Sequence, residues 1–157
     1  MKAEKAVIGD IDALVDLRLA FLQEDDGPLE ARLAEEIRER LPDYFRAHLD
    51  RDLFVFIVRE DGRIVSCAFL LIVEKPMSPA FPNGKTGTVL NVYTCPSFRR
   101  RGYAESVMKA LLAEAKEKNL FVVELKSTEA GYSLYKKAGF SDDHSKYRLM
   151  NWTGSQQ

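Results

Sequence analysis

Residues 96 to 104, Pro-Ser-Phe-Arg-Arg-Arg-Gly-Tyr-Ala, join the chain's densest positive charge to a glycine and then to an amphipathic run. Ala104, Val107, Met108, Leu111, Leu112 and Ala115 recur at helical spacing, so the arginines stand at the head of a helix. A helix N-terminus already presents outward-facing N–H groups and the positive end of the helix dipole. Arginines added there suit an anion. Bare backbone donors, guanidinium forks and a glycine that removes steric obstruction are what a phosphate or diphosphate needs. Arg99, Arg100, Arg101, Gly102, Tyr103 and Ala104 are the first candidate binding residues.

Other chemistry-bearing patterns fail on spacing. The segment "NGKT" (83–86) ends like a phosphate loop, but the required first glycine falls at Pro79 and no helix-forming run follows Thr86. The dinucleotide fingerprint GxGxxG is absent. Cys67 and Cys95 form no CxxC pair, and with His48 and His144 they lack metal-ligand spacing, so no metal site is expected. With 23 basic and 24 acidic residues, the arginine run is a local feature; the balance gives no support to a nucleic-acid or membrane-surface binder. No hydrophobic leader or twenty-residue apolar run is found, and a cytoplasmic protein with reduced thiols is the expectation.

The elements that must position the arginine run follow from periodicity. "EKAVI" (4–8) predicts a short strand, after which Asp10 caps a helix carrying Ile11, Leu14, Val15, Leu19 and Leu22. Pro28 is placed in the first turn of a second helix with Leu29, Leu33, Ile37 and Leu41, which Pro42 should kink or split. "LFVFIVR" (53–59) and "IVSCAFLLIV" (64–73) read as strands joined at Asp61-Gly62. An irregular segment (74–87) leads to "TVLNVYT" (88–94), a strand expected to be buried on both faces. Beyond the helix at the arginine run come a strand at 120–126, a short helix at 127–138 stopped by Gly139, and a last strand at 146–152. The expected fold is α/β, a mixed sheet flanked by helices in the order βααβββαβαβ. It makes one domain over 1–152 with a loose tail at 153–157.

In this context "VLNVYTCPSFRRRGYAESVMKALLAEA" resembles the acyl-CoA-binding motif of the GNAT superfamily of N-acetyltransferases, with Arg99, Gly102 and Ala104 at the motif positions. "EAGYSLYKKAGF" is similar to the family's LYxxxGF segment, and "KAVIGDIDALVDLRLAF" to its start, so the likeness runs through essentially the whole domain. The resemblance implies acetyl-CoA as acyl donor and an amine-bearing small molecule or peptide as acceptor. It is compatible with a homodimer and requires neither nucleic acid nor membrane.

It also implies a bulge in the strand before the arginine run, which splays from its neighbour. Val92, Tyr93 and Thr94 would meet the pantetheine arm, with Arg99 to Ala104 on the pyrophosphate and a backbone N–H near Val92 on the tetrahedral oxyanion. The family's general acid maps onto Tyr135. A phenol near 10 opposes full proton transfer to a thiolate near 8.5 by roughly 2 kcal/mol, so Tyr135 would act chiefly by hydrogen bonding. Only about 4 in 10,000 lysine-like amines are neutral at pH 7, and Glu124 or Glu74, acting through water, are the candidate bases. Thr128 and Gly131 depart from the asparagine and alanine common in the family.

Glu24, Asp25 and Asp26, between the first two helices, make a candidate acceptor-side funnel for a polyamine-like cation. A module that binds acyl-CoA without turnover, as sensor or scaffold, is the alternative function.

Overall fold

In the computed structural model, which describes residues 2–154, the two β-rich runs pair as a hairpin. Strand β2 (Leu53–Glu60) and strand β3 (Arg63–Glu74) meet through Asp61 and Gly62, at φ 51° and 76°. That turn matches the twist of antiparallel strands. Strand β4 (Lys85–Thr94) continues the antiparallel order on the far side of β3, and β1 (Glu4–Lys5) borders β2. Strand β5 (Val122–Glu124) lies parallel to β4, giving a five-stranded mixed sheet in the order β1-β2-β3-β4-β5. The chain divides into two compact units, one running to Lys126 and holding the sheet, the other beginning at Ser127.

Strand alternation sends residues to two opposite layers. Val55, Ile57, Cys67, Phe69 and Tyr93 join the core under helices α1 (Ile11–Asp26) and α2 (Ala31–His48). Leu14 and Phe45 are fully buried there, and Phe45 meets Phe69 edge to face at 5.8 Å. Helix α3 (Tyr103–Glu117) packs on β2 and β3 from outside this cluster, burying Val107, Met108 and Leu111. In the second unit, helix α4 (Tyr132–Ala138) ends at Gly139 as expected.

Several expectations are corrected. Asp10 precedes α1 but does not cap it: its carboxylate accepts the Val7 N–H at 2.9 Å and pairs with Arg59 at 2.7 Å. Pro28 lies outside α2, which starts only at Ala31 after a bend at Gly27 and Pro28. Pro42 does not split that helix, which continues past it to bury Phe45 in the core. Strand β4 is not buried on both faces, since Leu90 is 37% exposed. No strand forms at 146–152, because a strand needs a paired neighbour and among the described residues this segment has none. Of the expected tail, 153–154 carry no helix or strand and 155–157 lie outside the described residues.

Candidate active site

The site begins with a fault in a strand ladder. Cys67 pairs with Tyr93 and Phe69 with Leu90, so Asn91 and Val92 together stand opposite Ala68. This is a β-bulge, with Asn91 at φ 52°. On the other edge, pairing to β5 ends at Thr88–Glu124 while β4 runs on to Thr94. Among the described residues, Val89 to Thr94 therefore offer about 20 Å of strand edge with no partner strand on this side.

At the end of that edge the chain turns at Pro96–Phe98 and enters the arginine run. Arg100 (φ 64°) and Gly102 (φ 84°) are both left-handed, and Gly102 is the residue immediately before α3. Gly102 accepts the Ser106 N–H at 3.1 Å, which closes the first turn and leaves the N–H groups of residues 103–105 directed outward.

The side chains are less available than the sequence suggests. Arg99 Nε donates to the Thr94 carbonyl at 2.8 Å, Nη2 pairs with Glu24 Oε2 at 2.6 Å, and the guanidinium lies over the Tyr93 ring at 5.5 Å. The hydrogen bond to Glu24 raises the Arg99 pKa. Thr94 Oγ1 is bound to Ser66 Oγ at 2.8 Å. Arg101 lies over Phe98. Tyr103 is buried and donates to Glu60 Oε1 at 2.6 Å, a bond that raises its phenol pKa and anchors the head of α3. Arg99 and Tyr103 are thus engaged within the protein, while the Arg100 and Arg101 side chains are exposed beside the head of α3.

The structure brings together Glu24, Tyr93, Thr94 and Arg99, predicted for different roles. Asp25 and Asp26 end α1 in exposed positions. Glu124 is exposed and pairs with Thr88, four residues before Val92, hence about 13 Å along the strand. Direct contact with the bulge is out of its reach. "NGKT" resolves into a turn and the start of β4, with no phosphate cradle.

Tyr135 belongs to the second unit, on α4, and stacks edge to face on Phe140 at 6.0 Å. Burial pushes its pKa up. The departures at Thr128 and Gly131 have a shared local cause. Thr128 Oγ1 accepts the Gly131 N–H at 3.1 Å, and a Cβ on residue 131 would come within 2.8 Å of Tyr135 Cε2. The glycine is what this ring position demands.

Sequence reasoning missed Arg18. It follows Ile11 by seven and Leu14 by four, so a guanidinium interrupts the apolar stripe of α1; that interruption was the available signal. Arg18 Nη1 donates to Asn91 Oδ1 at 3.1 Å, directly at the bulge, and burial lowers its pKa. A cleft of about 520 Å³ also opens between α1 and the β2–β3 turn, reaching Tyr93, Cys95 and Ser97. The cleft meets the open edge at Tyr93, while the bulge residues Asn91 and Val92 and the head of α3 are not part of its lining. Among the described residues there is no cluster able to hold a metal and no helix long and apolar enough to cross a membrane.

A bulged strand that runs past the end of its β5 partner leads through a turn into a glycine-headed helix. The chain belongs to the acetyltransferase (GNAT) family, which it matches over residues 12–140. It is 28% identical to a glucosamine 6-phosphate N-acetyltransferase from Trypanosoma brucei brucei, over 87% of this chain and 97% of that protein. Among solved structures it is similar to a predicted acetyltransferase from Clostridium acetobutylicum crystallised with acetyl-CoA, with TM-score 0.82, 28% identity and 96% and 95% of the two chains covered. A GCN5-related N-acetyltransferase from Ralstonia eutropha JMP134 matches with TM-score 0.79, 26% identity and 95% and 97% coverage.

Proposed function

We infer that this protein transfers the acetyl group of acetyl-CoA to a primary amine by direct attack of the amine on the thioester. The observation that carries the reading is the continuous track from the Asn91–Val92 bulge, along the open edge to Thr94, into the Arg99–Ala104 turn. An extended amide-bearing arm finds N–H and C=O partners at Val92, Tyr93 and Thr94. A diphosphate finds backbone donors at the head of α3, with charge from Arg100 and Arg101. A backbone N–H at Val92 is the donor for the tetrahedral oxyanion.

Tyr135 is assigned as hydrogen-bond donor to the leaving thiolate. Its raised pKa keeps the phenol protonated, which suits a donor and disfavours complete proton transfer. Glu124 enters only through a chain of water. Asp25 and Asp26 are the carboxylates that draw a cationic amine toward the site, while Glu24 ties their loop to Arg99.

The test is direct. Incubation with acetyl-CoA and a panel of amines should release CoA thiol in an amine-dependent manner, with N-acetylated product detected by mass. Tight CoA binding with no turnover on any amine would favour a sensor or scaffold instead.

A further inference from the structure

Among the described residues five of the twelve arginines have carboxylate partners, and all but one of the others are exposed. Arg38, Arg40, Arg46, Arg59 and Arg99 each pair with an aspartate or glutamate. Arg18 is different. It is half-buried, its hydrogen-bond partner is the neutral amide of Asn91, and among the described residues no carboxylate lies within ion-pair distance of it. Nor can the group escape by losing its proton, because guanidinium stays charged throughout the ordinary pH range. A half-buried cation with a neutral partner has lost water without a full replacement, and a bound anion would supply it.

The Arg18 guanidinium lies over Phe21 at 5.8 Å, and the strand that it binds is exposed at the residue before the bulge. Leu90 is the direct cross-strand partner of Phe69, so the two share a face, and Phe69 packs against Phe45 of α2. Phe69 is 5% exposed, yet Leu90 beside it is 37% exposed. The helices therefore leave one strip of β4 uncovered, at the residue before the bulge. Asn91, which fixes Arg18, is the next residue. The uncovered strip, the bulge and the cation without a carboxylate lie together at the thioester end of the open edge.

We propose that Arg18 is the anion-binding residue of the acceptor site, and that the acceptor is a primary amine carrying a carboxylate or a phosphate ester, seated on Leu90 with its anionic group on the Arg18 guanidinium. The inference rests on the acetyl-transfer reading for its kinetic test, but the binding can be measured independently. Asp25 and Asp26 then serve the ammonium end of the same zwitterionic molecule, which differs from the polyamine expected from the acidic loop alone. A purely structural Arg18, bracing Asn91 in its left-handed conformation, would affect all acceptors alike.

The experiment compares acceptors that differ by one anionic group: glucosamine 6-phosphate with glucosamine, alanine with alaninamide, and spermidine as the polycation. In the wild-type protein kcat/KM should favour the anionic member of at least one pair by tenfold or more, and the pair showing it identifies phosphate or carboxylate. Arg18→Gln should bring that ratio close to one through KM, and Arg18→Lys should restore part of it. Calorimetry of the same amines in the presence of CoA should show the same ranking, so a protein without turnover still tests the anion site while refuting the enzyme reading. A wild-type ratio near one in both pairs, a preference for spermidine, or an unchanged ratio in a folded Arg18→Gln protein would overturn the proposal.

Discussion

At the scale of single residues, Gly102 carries two requirements at once. It heads α3, where the proposed diphosphate would approach the backbone, and it sits at φ 84°, where a side chain is strained. A β-branched substitute would confound the two, so Gly102→Ala is the better probe. We expect it to lower stability by about 1–2 kcal/mol in denaturant titration and, in the folded protein, to weaken CoA binding by tenfold or more in calorimetry. Unchanged CoA affinity would move the diphosphate elsewhere. Tyr135 makes a second residue-scale prediction. Tyr135→Phe should lower kcat with little change in acetyl-CoA affinity. The protonated phenol is the useful form and its pKa is raised by burial. Any loss of rate from its ionisation should therefore appear only above pH 10, the unperturbed value. A Tyr135-dependent fall in kcat centred below pH 10 would contradict the environment described for this ring.

At the scale of elements, the end of α1 and the turn before α3 are joined by one ion pair, Glu24 to Arg99. The pair is partly exposed and worth little to stability, but it places a carboxylate beside the proposed diphosphate site. Glu24→Gln should tighten CoA binding several-fold at low ionic strength, with the gain fading as salt screens it; weaker binding would mean that Glu24 instead holds Arg99 in its working position. Asp25→Asn with Asp26→Asn should raise KM for cationic amines, and equal KM values at low salt would leave that loop merely solvated. Elements with strong local patterns were legible in the sequence: the hairpin around Asp61-Gly62, the helix behind Gly102, and the strand at 88–94. What was not legible depended on partners. Pro28 looked like a helix start because nothing local shows that the link from α1 stays non-helical until Ala31. The strand expected at 146–152 had the right residues but no neighbour to pair with. Arg18 and Asn91, 73 positions apart in sequence, could be joined only by the fold.

At the scale of the whole molecule, the layer between the sheet and helices α1 and α2 contains an ionisable group that cannot ionise in place. Cys67 is fully buried, and desolvation pushes its thiol up to about 12. The thiol in the unfolded chain titrates near 8.5–9, so above that pH the unfolded state loses a proton that the native state keeps. The contribution of Cys67 is fully present below the unfolded pKa and falls as pH rises toward 12. The slope is about 1.4 kcal/mol per pH unit across that window. Other groups titrate in the same range, so the measurement is a comparison: urea unfolding of the wild type and of Cys67→Ala at pH 8, 9 and 10. Cys67→Ala should be less stable at pH 8 because it leaves a small cavity, and the difference between the two proteins should shrink by about 1.5 kcal/mol by pH 10. A difference independent of pH would show that Cys67 ionises as readily in the folded protein as in the unfolded one, and that water reaches the sheet beneath α1.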